Sequence, residues 1–381
     1  MYRNYGYSEE KKANAVVNLS AIEHNFNYFK SKLNNKSRLM AVVKADAYGH
    51  GSIDTAKALE KAGADAFAVA NIDEAVELRK SGVAGLILVL GYTLPELFGQ
   101  LCRYDISQTC ASYDYLAQMD EYCSMTGNSL KLHLKLNTGM NRTGFFTEGI
   151  FTDELEKAAQ LLKSSKLIEK EGVFSHFADS DEPDSTFTRL QAERFIECVN
   201  ELENRGISFR YKHICNTMGV VNFPEYHFDM VRVGIGLHGY TTHRIPELIP
   251  SMEYSASVIA VNKIAKGSFV SYGLDYTAPD DRTIAVVCCG YADGLKRSLS
   301  NKGFFLCHGE KCPIVGKVCM DMTMIDVSAI ADKVKVGDMV KLFGYQGDSF
   351  VGADEVAELA DTIAYEILCG VGNRFKRVYV R

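Results

Sequence analysis

Between residue 15 and about residue 235, short β-branched runs alternate with amphipathic stretches of helical period, and this rhythm constrains the fold more than any other feature. The strand-like runs are Leu39–Lys44, Ala66–Ala70, Leu86–Leu90, Ser107–Ala111, Leu130–Leu136, Gly172–Phe177, Phe209–Ile214 and Met230–Ile235. Helical periodicity predicts helices over Ile53–Lys61, Asp73–Lys80, Glu96–Cys102, Tyr113–Cys123, Asp153–Ser164 and Arg189–Glu203, with a short one after Ile214. An earlier helix, capped by Ser20, would place Ile22, Phe26, Phe29 and Leu33 on one face. Parallel strands need a crossover element between them. Eight βα units therefore imply a parallel (β/α)8 barrel of the TIM type, with an open doubly wound sheet as the alternative.

After Tyr240 the texture changes. Short strands at Ser255–Val261, Thr283–Cys288, Lys311–Val318 and Met339–Phe343, separated by glycine and polar turns, imply a C-terminal, mainly antiparallel β domain. The proline-bearing link 244–250 (RIPELIP) would join the two. A chain of 381 residues has room for both. The expected boundaries are 15–246 for the barrel, and 1–14 with 247–381 for the β domain.

Composition removes several function classes. The net charge of −6 comes without a basic stripe, which argues against a nucleic-acid partner. The longest apolar run, Val83–Tyr92, is about half a membrane span, so no membrane association is expected. The polar N-terminus lacks the apolar core of a secretory signal. Eleven cysteines without a CxxC pair read as reduced thiols in a cytoplasmic, soluble protein rather than a disulfide framework. Cys307, Cys312 and Cys319 do not have zinc-ligand spacing, so no metal is expected.

In a barrel of this kind, functional side chains sit at the C-terminal strand ends. Reading those ends gives Lys44, Leu90, Lys135, His176, Asn216 with Thr217, and Arg232. A lysine at a strand end is commonly a solvated boundary residue. Lys44, however, ends an apolar run and precedes a glycine-containing loop, Ala45–Gly51. Desolvation would lower its pKa and favour imine chemistry. Asn216-Thr217-Met218-Gly219 and Gly234-Ile235-Gly236 follow the seventh and eighth strands, where barrels often hold phosphate. Hydroxyl and bare backbone N–H donors suit a phosphate, and beside a strand-end lysine they suggest pyridoxal phosphate. Taken singly, His176 reads first as a satisfied structural histidine and Tyr272 as a packing residue.

The run Ala41–Gly51 (AVVKADAYGHG) resembles the cofactor-lysine motif of the alanine racemase family. Lys135–Arg142 (KLNTGMNR), Ser175–Ala178 (SHFA), Val231–Ile235 (VRVGI), Val270–Gly273 (VSYG), Gly290–Gly294 (GYADG), Gly316–Asp321 (GKVCMD) and Tyr365–Glu366 follow in family order. The resemblance implies a homodimeric, pyridoxal 5'-phosphate-dependent racemase that interconverts L- and D-alanine and supplies D-alanine for cell-wall peptidoglycan.

By the same resemblance, Lys44 holds the cofactor as an imine and works as acid and base on one face of the substrate. Tyr272, from the partner subunit, works on the other, because inversion needs a proton removed from one side and delivered to the opposite one. His176 hydrogen-bonds that tyrosine, and Arg232 follows in the same chain while facing the cofactor's pyridine nitrogen. Tyr48, Thr217, Tyr365 and the backbone of Gly234 and Ile235 hold the phosphate, with Leu90 also at the cofactor. Arg142 meets the cofactor's phenolic oxygen and the substrate carboxylate, and Met320 contributes backbone to the substrate site. Asp181, Lys317 and Asp321 line an entry corridor, and Lys135 is a carbamylation site that orients Arg142.

Four positions depart from the family pattern: Thr217 for serine, Lys317 for arginine, Asp46 for asparagine and Asn137 for aspartate. The rival readings are a serine or broad-specificity racemase, a pyridoxal-phosphate decarboxylase of the same architecture, and a non-enzymatic pyridoxal-phosphate carrier. The carrier reading leaves the β domain with Tyr272 and Met320 without a role.

Overall fold

The computed structural model describes residues 13–34, 36–372, 374 and 376–381. Two compact units emerge: one of residues 20–47 and 51–249, the other of residues 13–19, 48–50 and 250–381. The expectation that residues 1–14 join the β domain falls mostly on residues 1–12, which lie outside the described residues.

The first unit is the expected barrel. Its strands are Arg38–Val42, Ala66–Val69, Leu86–Val89, Ser107–Cys110, Leu130–Asn137, Ile168–Phe174, Tyr211–His213 and Met230–Val233, referred to below as strands one to eight. Neighbouring strands pair in parallel around the sheet. Strand eight pairs with strand one, Val231 opposite Leu39, so the sheet closes and the doubly wound alternative is excluded. Most strand residues are buried on both faces, as expected where helices cover the outside and side chains fill the inside.

Helix starts follow local capping chemistry. Asn71, Ser112, Thr152, Ser185 and Asn216 each accept a backbone N–H from the first turn that follows. The cap at Ser185 starts its helix at Thr186, ahead of the expected Arg189. Ser20 does not cap: its helix runs Leu19–Ser31, so Ser20 sits inside the first turn.

The second unit is built on the long strand Met252–Ile264. It pairs antiparallel with Ala13–Asn18, Arg282–Val287 and Met339–Gln346. Arg377–Val380 adds a parallel neighbour to Ala13–Asn18. The strand expected over Lys311–Val318 stops at Pro313, after a hairpin with Phe304–Cys307. Beyond it the chain turns at Gly316, where φ is 78° and a β-carbon would lie 2.5 Å from the Val270 carbonyl oxygen. Two short helices, Ala353–Leu359 and Ala364–Cys369, complete the unit. Among the described residues, no helix is long and apolar enough to cross a membrane.

Candidate active site

Strand one ends at Val42, so Lys44 opens a turn rather than closing the strand as expected. That turn is left-handed: Ala45, Asp46, Ala47 and Tyr48 have φ of 53°, 53°, 52° and 55°. Consecutive non-glycine residues in this region are sterically costly and persist only where the surroundings over-determine them. Two carboxylates supply the restraint. Glu74 accepts from Ala45 N at 2.9 Å and from Ala70 N at 2.7 Å, tying the turn to the end of strand two. Asp46 accepts from Ser52 N at 2.8 Å and so secures the start of the next helix. The acid at 46 therefore has a structural task. Glu74 was not singled out from the sequence; its partners lie on another element, and only its place in the first helical turn is visible there.

Arg232, on strand eight, is buried. Its Nη2 donates to the carbonyls of Ser175 (2.8 Å) and Ile214 (3.0 Å) and to His176 Nδ1 (3.0 Å). Nη1 donates to His213 Nδ1 at 2.7 Å. A guanidinium has no acceptor, so both imidazoles receive at Nδ1 and carry their proton on Nε2. Burial lowers the Arg232 pKa to about 10, which leaves it charged at neutral pH. Burial, then Arg232, Arg142, Lys135 and Lys44, hold the His176 pKa well below its ordinary value. His176 is thus a neutral ring with one donor, Nε2–H.

Lys135, on strand five, donates to Thr143 Oγ1 at 2.6 Å. Burial, then the charges of Arg142, Arg232 and Lys44, push its pKa down to about 8. Lys44, Lys135, Arg142 and Arg232 thus form one positive field around His176. Arg142 is exposed and no carboxylate pairs with it among the described residues. Its loop is shaped by Asn137, whose Oδ1 accepts from Asn141 N (2.9 Å) and Gly139 N (3.3 Å). The buried Gln191, also missed from the sequence, braces the mouth from its helix. It donates to the His176 carbonyl (3.1 Å) and accepts from Ala178 N (2.9 Å).

At the ends of strands seven and eight, Gly234 N donates to Thr217 Oγ1 at 3.2 Å. A β-carbon on Gly236 would meet Phe29 at 2.5 Å and the Thr217 methyl at 2.7 Å, so the loop Gly234–Gly236 tolerates no side chain there. Leu90 lines a mostly apolar cavity of about 200 Å³ with Tyr92, Thr109, Tyr115 and Thr143, the last being the partner of Lys135. Asp181 offers its backbone carbonyl to Asn222 Nδ2 at 3.1 Å.

In the other unit, Tyr48 packs edge-on against Tyr365, with ring centroids 5.9 Å apart. Burial, then Tyr365 and Cys369, raise the Tyr48 pKa, so it stays a neutral phenol. Gly49 follows because a β-carbon there would lie 2.4 Å from the Leu368 carbonyl oxygen. Tyr272 is 74% exposed on a turn in which Ser271, Gly273 and Leu274 all have positive φ. Ser271 Oγ braces the turn by donating to the Lys317 carbonyl at 2.7 Å, and Lys317 Nζ pairs with Asp275. The lysine at 317 therefore still forms an ion pair. Asp321 pairs with Arg374 at 2.8 Å, and Met320 is 53% exposed.

Residues 17–242 match the family model described as alanine racemase, N-terminal domain, and residues 251–379 match alanine racemase, C-terminal domain. An alanine racemase of Carboxydothermus hydrogenoformans is 41% identical over 371 residues, covering 96% of this chain and 99% of that protein. The structure of alanine racemase from Bacillus anthracis with bound L-Ala-P superposes with a TM-score of 0.91 at 31% identity, covering 98% of this chain and 96% of that one. Alanine racemase from Bartonella henselae with covalently bound pyridoxal phosphate gives 0.86 at 27% identity, covering 97% and 99%.

Proposed function

The chain belongs to the alanine racemase family, and from that premise we propose that it interconverts L- and D-alanine with pyridoxal 5'-phosphate, as a homodimer. The observation that carries the reading is the barrel mouth, where Lys44, Lys135, Arg142 and Arg232 bear on one neutral histidine.

The residues present fit the cofactor. An accumulation of cations suits a phosphate ester, a phenolate and a substrate carboxylate. The Nε–H of Arg232 makes no hydrogen bond among the described residues, which leaves a donor for an unprotonated ring nitrogen. Thr217 with the backbone of Gly234 and Ile235 would hold the phosphate, Tyr48 and Tyr365 would add phenol donors, and Leu90 would give apolar contact. When bound, pyridoxal phosphate supplies a conjugated system that accepts the electron pair left as the substrate's Cα–H proton departs.

The protein's part is proton transfer and positioning. Lys44 would hold the cofactor and exchange the proton on one face. Tyr272, exposed on a braced turn, would serve the opposite face in the partner subunit, with Met320 beside it. The donor left on His176, Nε2–H, can stabilise the phenolate form that Tyr272 needs to act as a base and to which it returns after acting as an acid. Arg142 would align the substrate carboxylate, Lys135 behind it, carbamylated or free. Asp181, Lys317 and Asp321 would line the approach. Exposed Tyr272, Leu274, Met320 and Met322 support the dimer, since such apolar exposure commonly marks an interface.

The test is polarimetric. Purified enzyme with its cofactor should carry L-alanine, and separately D-alanine, to zero rotation; an unchanged rotation from both overturns the proposal.

A further inference from the structure

Beneath Arg232, a line of buried polar groups runs through the barrel interior without any part in the chemistry described so far. His213 Nε2 lies 2.9 Å from His133 Nδ1, and His133 Nε2 lies 3.0 Å from Glu171 Oε2. Ser107 Oγ donates to the same carboxylate oxygen. Arg232, His213, Glu171, His133 and Ser107 come from strands eight, seven, six, five and four. All five are buried.

The direction of every hydrogen bond in the line follows from its ends. Arg232 can only donate and an ionised Glu171 can only accept. His133 must therefore carry its proton on Nε2, facing Glu171, and receive at Nδ1. His213 must carry its proton on Nε2, facing His133, and receive the guanidinium at Nδ1. The opposite polarity would leave Arg232 Nη1 pointing at an N–H. Burial raises the pKa of Glu171, whereas the hydrogen bonds from His133 and Ser107 and the positive charge on the His133 and Lys131 side lower it, with a net shift downward that favours the carboxylate.

The backbone makes room for this line. Leu132 pairs with Lys170 but His133 pairs with Gly172, so Glu171 is an extra residue in strand six. Such a bulge re-aims a side chain that regular alternation would place elsewhere. The Phe174 ring stacks on His213 at 4.9 Å with planes 1° apart and lies under the Arg232 guanidinium at 5.2 Å, which fixes both. An apolar filling would pack the interior without these requirements, since replacing buried charges by apolar groups is often neutral for stability.

We propose that Glu171 is a positioning residue for the reaction: through His133 and His213 it fixes the place of the Arg232 guanidinium, and with it the orientation of the His176 ring. This rests on the assignment of Arg232 and His176 to the racemase site. Carboxylates that orient a metal-bound imidazole from outside the reacting shell matter about 10- to 100-fold, and an effect of that order is expected of Glu171.

Histidine-selective 15N labelling of the purified holoenzyme, with signals assigned by single histidine substitutions, reads the ring protons directly and needs no substrate. His133, His213 and His176 should each show one tautomer, Nε2–H; an Nδ1–H form of any of them overturns the proposal. In Glu171→Leu, His133 Nε2–H loses its acceptor, so the His133 Nε2 signal should shift while Arg232 still holds His213 as Nε2–H, and kcat should fall about tenfold or more, with the KM for alanine holding. Glu171→Gln, which keeps an acceptor, should recover most of both. An unchanged His133 Nε2 signal or an unchanged kcat in a folded Glu171→Leu overturns the proposal. If that variant does not fold, His133→Phe cuts the same line and must lower kcat in the same way. A protein with the stated tautomers that leaves alanine untouched would refute the racemase reading instead.

Discussion

Gly172 lies against the His133 imidazole so closely that a β-carbon at residue 172 would sit 2.2 Å from Nδ1. The glycine is there for space: the ring nitrogen it faces is the one that receives His213. Gly172→Ala should therefore displace the ring and lower stability by about 1–3 kcal/mol, as overpacking does. Equilibrium urea unfolding measures this, and a midpoint equal to wild type would contradict the placement of His133.

Lys135 gives a pH dependence of definite sign. Its pKa in the folded protein is about 8, against an ordinary lysine value of 10.5. Between those values the unfolded chain binds more protons, so this residue's contribution to stability rises as pH increases from about 8 to about 10.5. The stability difference between wild type and Lys135→Met should grow in favour of wild type over that window; a flat difference would show that Lys135 titrates normally. The same lowered pKa provides the neutral amine that carbon dioxide needs, so 13C-bicarbonate should give a carbamate signal that Lys135→Met lacks.

Lys44 is expected to be the cofactor's point of attachment. Borohydride treatment of the holoenzyme should fix the cofactor's mass on the peptide containing Lys44. A label on Lys135 or any other lysine would displace the assignment.

Lys44 and Tyr272 are expected to meet only across a dimer. Lys44→Ala and Tyr272→Phe should each be nearly inactive alone. Random co-refolding of equal amounts makes about half the dimers mixed, and each mixed dimer has one site with both lesions and one with neither. Activity should return to about a quarter of wild type. Confirmed heterodimers without recovery would place the two residues in the same chain's site.

Much of this was legible along the chain because it is local. The barrel could be counted from alternating hydrophobic periods, and the helix that periodicity places at Asp153–Ser164 is found there, behind a threonine cap. Lys44, His176, Arg232 and Thr217 were marked by their places at strand ends and by motifs of a few residues. The breaks in the reading are just as specific. Alternation placed Lys44 at the end of a strand, but the chain leaves the strand early for a left-handed turn, whose restraint comes from Glu74, 29 residues away.

The sequence by itself determined the barrel, the appended β domain and the residue types at the barrel mouth, since each is encoded in neighbours or in a short period. Tertiary structure alone decided which protons those residues hold. Glu171 bonds His133 from 38 residues away and Ser107 from 64, and a strand bulge turns it toward them. Hydrogen-bond polarity in a buried line is set by its two ends, and those ends are connected only when strands four to eight assemble side by side.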